Sequence, residues 1–287
     1  MKPKAIDKSP IQWTGPTWNP WQGCHKVSAG CANCYMFREM KRYGRQADRV
    51  VRSAPHTFNN PLRWQREVDE GIRAGQDRLV FTCSWSDWFI EEADAWRNEA
   101  WDVIRRCPDL VFQILTKRPE LIDIRFPAYW DEIKDRCWIG ATCENQELAN
   151  LRIPQLLKVP ASVRFLSLEP LLGPIDLRPW INPVTQAFGT LRQRPFAIKW
   201  VIVGGESGPG ARPCSIDWIR SIVRQCEAAS VPVFVKQLGR ISMFRSRPPR
   251  GDDPRSGIEP LVLEHPKGGA PGEWPEDVRV RQFPAGW

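Results

Sequence analysis

Three cysteines stand close together in the stretch Trp18-Asn-Pro-Trp-Gln-Gly-Cys-His-Lys-Val-Ser-Ala-Gly-Cys-Ala-Asn-Cys-Tyr35. Cys24, Cys31 and Cys34 follow a C-x6-C-x2-C spacing. Three thiolates in so short a loop can converge on one metal centre, and Gly23 and Gly30 let the backbone turn tightly around it. Thiolate sulfur is the usual ligand of iron–sulfur clusters and also a good ligand of zinc. The number of ligands separates the two. A structural zinc site wants four, and the local fourth candidate is His25, awkwardly placed beside Cys24; His56 and His265 lie further off. A cubane cluster on three thiolates keeps one iron for a small molecule. An iron–sulfur centre is therefore the first expectation and a zinc knuckle its rival. A Gly-rich loop offers little core in which ordinary thiols could be buried.

Further polar groups follow the apolar runs of the chain. They are Thr82-Cys83-Ser84-Trp85-Ser86-Asp87, Thr116-Lys117-Arg118, Thr142-Cys143-Glu144-Asn145, Ser167-Leu168-Glu169-Pro170, Gly204-Gly205-Glu206-Ser207-Gly208 and Lys236-Gln237. In a β/α barrel, chemistry collects at the C-terminal ends of the strands. For one strand such a group is a helix cap or a turn, but caps alone explain six of them poorly. Gly204 and Gly205 let backbone amides approach a ligand, and Glu206, with Ser207 beside it, can hold a ribose or an amino group. Lys117 and Arg118 suit a carboxylate or phosphate, with Asn145 and Gln237 on the same substrate-facing rim. Glu144 and Glu169 are acid/base or sugar-hydroxyl candidates. Lys236 is a catalytic candidate or a structural partner of Glu169 or Glu206. Cys83 and Cys143 are either hydrogen-atom donors or packing residues; Cys214 stays open, and Cys107, Cys137 and Cys226 read as packing.

The elements that must carry these groups alternate. Short apolar runs over Arg78–Cys83, Leu110–Leu115, Cys137–Thr142, Val163–Leu168, Lys199–Val203 and Pro232–Lys236 predict buried parallel strands, with an earlier one near Ile11–Thr14. Between them lie helical stripes: Trp96, Ala100, Val103 and Ile104; Leu148, Leu151, Leu156 and Leu157 after Asn145; and Trp218, Ile219, Ile222, Val223 and Cys226 with Ser215 as N-cap. This is the pattern of βαβ units, and seven of them suit a complete or partial TIM-like (β/α) barrel. No GxGxxG opens a helix after the first strand, which weighs against a dinucleotide fold. The expected organisation is a barrel over residues 1–239. An irregular extension over 240–287 packs on it, anchored by Trp274, Phe283 and Trp287.

The 287 residues carry a net charge of +8, and residues 1–52 hold ten Lys or Arg against three Asp or Glu. A second basic run is Arg245, Arg247, Arg250 and Arg255. Such clusters can neutralise phosphates, although a solvated surface explains charge alone. Nine cysteines without an apolar leader segment argue against a disulfide framework. No apolar run reaches ~18 residues, so no membrane partner is expected, and the default location is the cytoplasm.

The sequence resembles a family of phage and bacterial proteins, largely of unknown function, that is regarded as radical-SAM-like. The resemblance covers most of the chain. It rests on Trp13-Thr14, Trp18-Asn19-Pro20, Gly23-Cys24, Gly30-Cys31-x-Asn33-Cys34-Tyr35, Phe112–Pro119, Arg164–Gly173, Trp200–Pro213, Lys236-Gln237-x-Gly239 and Val278–Pro284. The loop is longer by three residues than the common radical SAM C-x3-C-x2-C, and Asn33 stands where an aromatic usually precedes the third cysteine. The resemblance implies a [4Fe–4S] cluster on Cys24, Cys31 and Cys34, with S-adenosyl-L-methionine (SAM) on the open iron. It implies an external electron donor and a radical that abstracts hydrogen from a substrate over the rim. Tyr35, Ser84, Ser86, Asp87, Gly204, Gly205, Glu206 and Ser207 are then cofactor-facing. Of these, Ser84, Ser86 and Asp87 hold the second-strand place that a Gly-Gly-Glu-like element usually takes. With the basic N-terminal region, the expected substrate is a nucleobase, nucleotide or DNA, for modification or repair. Two other readings stay open: a non-catalytic nucleic-acid-binding protein stapled by a zinc or iron–sulfur loop, and electron transfer through a cluster alone.

Overall fold

The computed structural model describes residues 7–181, 197–246 and 257–287. Seven strands form its main sheet: β1 (Thr17–Trp18), β2 (Leu79–Thr82), β3 (Val111–Thr116), β4 (Cys137–Thr142), β5 (Val163–Leu168), β6 (Ile198–Gly204) and β7 (Val233–Gln237). Their order in the sheet is their order in the chain. Every neighbouring pair is parallel. The sheet curls into a half-barrel with β1 and β7 as its edges. Six of the seven strands lie where the apolar runs placed them. The first does not: Ile11–Thr14 is a turn, closed by Thr14 N–H on the Ile11 carbonyl at 3.4 Å. The chain joins β2 a few residues later, through Gly15 N–H on Leu79 O at 2.9 Å and Pro16 O accepting from Phe81 N–H at 3.1 Å, and the registered pairs are Thr17 with Phe81 and Trp18 with Thr82. Trp18 is then fully buried.

Both faces of the curled sheet are covered, as a parallel sheet requires. The outer face packs against α3 (Asp94–Arg105), α4 (Gln146–Leu156) and α5 (Ile216–Ala228), while α1 (Tyr35–Arg42) and α2 (Asn60–Asp69) lie in the long excursion between β1 and β2. Ser215 caps α5 as expected, accepting from Asp217 N–H. In α4 the buried face is Ala149, Arg152, Ile153 and Leu156, and Leu151 is exposed. The expected leucine stripe is thus rotated, because Arg152 points inward to a carboxylate described below.

The inner face is aromatic at its lower end. Trp13, Phe81, Trp138, Phe165, Trp200 and Phe234 form one cluster near the N-terminal ends of the strands. Trp13 meets Phe81 at 4.7 Å and Trp200 at 6.1 Å, both edge-on. The C-terminal segment seals this layer. Phe283 stacks on Trp200 at 5.5 Å, and Trp287 sits edge-on to Trp138 at 5.6 Å.

The same segment runs antiparallel to β7, with Val235 N–H on Val280 O at 2.8 Å and Gln282 N–H on Val233 O at 2.9 Å. Trp274 is buried. The stretch expected to be irregular also contributes two antiparallel strands, Ser242–Arg245 and Ile258–Leu261. Arg247, Arg250 and Arg255 of the second basic run lie outside the described residues. Among the described residues no helix is long and apolar enough to cross a membrane.

Candidate functional site

The cysteine loop follows β1 and lies against the C-terminal ends of β2, β3, β4 and β6. Its start is fixed by Gly23 N–H on Trp85 O at 3.0 Å and by Ser86 Oγ donating to Gly23 O at 2.6 Å. Arg118, just past β3, donates to His25 O at 3.0 Å and reaches Cys24 Sγ at 3.8 Å. Asp87 holds that guanidinium at 3.2 Å. It also accepts from Thr116 Oγ1 at 2.7 Å and from Lys117 N–H at 2.9 Å. His25 itself pairs with Glu92.

The middle of the loop is gripped from β4. Glu144 is fully buried. Its Oε1 accepts from Ser28 Oγ at 2.6 Å, and its Oε2 meets Arg152 Nη1 at 2.8 Å. Lys117 Nζ stands 3.8 Å from Oε1. Gly30 makes this approach possible, since a Cβ there would lie 2.3 Å from Glu144 Oε1. The far end is gripped from β6. Asn33 Nδ2 donates to Glu206 Oε2 at 3.0 Å and to Gly210 O at 2.7 Å. Arg212 binds Glu206 through Nε at 2.8 Å and Nη2 at 2.6 Å, and its Nη1 donates to Ala29 O at 2.9 Å. Two acidic clamps, each backed by an arginine, thus hold residues 28–33.

These contacts set the charge states. Burial would raise the Glu206 carboxyl, but hydrogen bonds from Arg212 and Asn33 and the arginine charge hold it below the usual 4.5. The Cys24 thiol is pushed up to about 11, chiefly by burial and then by the Asp87 carboxylate, against the opposing pull of Arg118. It therefore carries its proton at neutral pH.

The expected site residues divide into groups. Ser86, Asp87, Arg118, Glu144 and Glu206 converge on the cysteine loop, as its supports. Ser84 Oγ bonds Asn19, and its carbonyl accepts from Tyr35 Oη at 2.6 Å. Glu169 forms a second cluster at the ends of β5 and β7: Lys236 Nζ lies 2.7 and 2.9 Å from its two oxygens, and Gln237 donates to it at 3.0 Å. Asn145 caps α4, accepting from Leu148 N–H at 2.9 Å. Gly204 O accepts from Leu171 N–H, and the Gly205 amide is spent on Gln237 O at 3.0 Å. A Cβ on Gly205 would lie 2.2 Å from Leu238 O, so this glycine serves chain packing. Ser207 is half-buried in the loop after β6.

Cys83 and Cys143 are 3% and 0% exposed in the core that includes the outer helices. Burial raises both thiols, Cys143 to about 12. Ser28, Asn33, Arg152 and Arg212 are supports that reading the sequence missed. The available signals were a charged residue on the buried face of α4 and an arginine six positions after Glu206.

Cys31 is buried, Cys24 and Cys34 are half-buried, and all nine cysteines are free thiols. The donors have the chemistry of a thiolate-held centre. Their arrangement does not reach ligating geometry: among the described residues no three His, Cys, Asp or Glu side chains are gathered to hold a metal ion. Residues 8–256 match the model of a family described as "Protein of unknown function (DUF5131)". No curated protein and no solved structure matches the chain.

Proposed function

The chain belongs to the DUF5131 family, and on that premise we propose that it is an iron–sulfur enzyme of the radical SAM type. Cys24, Cys31 and Cys34 hold a [4Fe–4S] cluster, SAM binds beside it, and an external donor supplies the electron. The substrate is a nucleobase, nucleotide or DNA. One observation carries this reading: a three-thiol loop is clamped across the C-terminal ends of a curled parallel sheet, where β/α proteins place their chemistry. If bound, the cluster would be held by Cys24, Cys31 and Cys34 and would supply the reducing chemistry for cleaving SAM.

The residues of the chain do the rest. Arg118 orients Cys24 and its neighbouring carbonyl. Glu144 and Glu206 fix the path of residues 28–33. The Glu169–Lys236–Gln237 cluster offers hydrogen-bonding groups to a ligand at the ends of β5 and β7. The aromatic layer below fills the lower half of the barrel, which confines a ligand to the upper end. Holding a cluster would require the sulfurs of Cys24, Cys31 and Cys34 to draw together, since no three such side chains are gathered among the described residues.

The test is anaerobic reconstitution followed by iron, sulfide and 5′-deoxyadenosine analysis. About four irons per chain with labile sulfide are expected, with 5′-deoxyadenosine formed from SAM and a strong reductant. Retention of the cluster after each of Cys24→Ala, Cys31→Ala and Cys34→Ala would exclude the assignment. A second reading is favoured by the use of Glu144, Glu206, Asp87 and Arg118 as internal supports. On it, the loop is a structural staple in a non-catalytic nucleic-acid-binding protein. Zinc without iron in the purified protein would favour that reading.

A further inference from the structure

We propose that α1 and the turn after it form a binding strip for single-stranded nucleic acid along the rim of the half-barrel. The strip gives the substrate of the proposed enzyme a place to lie, and its catalytic meaning rests on that reading; the binding itself requires no cluster.

Helix α1 crosses the rim. At its first residue, Tyr35 Oη donates to Ser84 O beyond the end of β2. One turn later, Arg38 Nη1 lies 2.9 Å from where a Cβ on Gly208 would stand, in the loop after β6. The inner side of the helix is apolar and closed, with Met36 and Met40 at 2% and 1% exposure. The outer side is different. Arg38, Lys41, Arg42, Arg45 and Arg49 are all exposed. The acids of the stretch 35–49 are Glu39 and Asp48. Glu39 is already met by Arg38 at 3.3 Å and Arg42 at 3.7 Å. Lys41 and Arg49 form no ion pair among the described residues.

A row of solvated cations needs no partner by itself. The neighbouring aromatic changes the argument. Tyr43, directly after α1, is 63% exposed with cations on both sides in sequence. An array of cations with an open ring among them matches a strand that offers both phosphates and unpaired base faces. A duplex offers the phosphates but hides the faces. Anionic lipid offers charge and nothing to stack.

The experiment is fluorescence anisotropy with labelled oligothymidylate and oligouridylate of about 20 nucleotides, longer than the ~4–16 that one site covers. A duplex of equal length is the comparison. Binding of either single strand is expected, and their ratio identifies the natural sugar. With about five phosphate contacts, affinity should fall roughly 100-fold between ~50 and ~200 mM salt. Lys41→Glu with Arg42→Glu should weaken binding at least ~10-fold. Tyr43→Ala should weaken it ~5-fold or more, and Tyr43→Phe should preserve it.

Thermal unfolding of each variant at the wild-type temperature shows that the fold is retained. The proposal is overturned by no binding at ~50 mM salt, by unchanged affinity in the double variant, or by a duplex bound as tightly as the single strands. Such a result leaves the iron and sulfide analysis untouched, and absence of iron leaves this binding result untouched.

Discussion

Glu144 divides its two oxygens between unlike partners, an arginine on its own following helix and a serine in the cysteine loop. Removing the carboxylate leaves Arg152, whose side chain is 4% exposed, as an uncompensated buried charge. Glu144→Ala should therefore cost about 3–5 kcal/mol, read as a lowered midpoint in thermal or urea unfolding. A wild-type midpoint would remove Glu144 from its assigned role. Gly30→Ala acts on the same contact from the other side, by pushing a methyl group toward Glu144 Oε1. It leaves the Glu144–Arg152 pair available, so it should destabilise less while speeding alkylation of Cys31 and Cys34, measured by mass spectrometry under native conditions. The second clamp has a pH signature. With its carboxyl held below the ordinary value, Glu206 contributes stability above the unfolded carboxylate range and loses it only as pH falls through its depressed value. In Arg212→Ala the main lowering influence is gone while burial remains. The acid transition, followed by tryptophan fluorescence, should then move to higher pH; an unmoved transition would show that the pair is not coupled to folding.

At the level of elements, the strands and helices are legible in sequence because each is encoded locally. Short apolar runs ending at polar residues give six of the seven strands, and Ser215 announces the start of α5 as a side-chain cap. Asn145, expected on the substrate-facing rim, is the cap of α4. Asn145→Ala should cost about 1 kcal/mol in equilibrium unfolding, the usual effect of losing an N-cap. An unchanged midpoint would mean that the cap is redundant in this context. The element that resists local reading is α4. Its leucines suggest one face, yet the helix turns Arg152 inward to meet Glu144. The clamps resist local reading for the same reason. Ser28 and Glu144 are 116 positions apart, and Asn33 and Glu206 are 173 apart. The sequence marks the strand-end acids as important without marking what they hold. A polar group at a strand end looks alike whether it awaits a ligand or grips a neighbouring loop.

For the molecule as a whole, the two ends of the half-barrel have opposite characters. One carries the cysteine loop, the clamps and the Lys236–Glu169 pair; the other is packed with indole and phenyl rings. Trp200 is fully buried and touches Trp13, Trp138, Phe165, Phe234 and Phe283. Trp200→Ala should cost about 3–5 kcal/mol, with the loss visible in equilibrium unfolding. Phe283→Ala should cost less, because that ring is only partly buried. The path of the final residues has a practical corollary. Trp287 rests against Trp138 near the start of β4, remote from the strand tips that bear the polar groups. A peptide handle fused after this tryptophan would emerge at the base of the molecule. Protein captured on a solid support through such a handle would present its polar end outward, accessible to an oligonucleotide or small molecule flowing past.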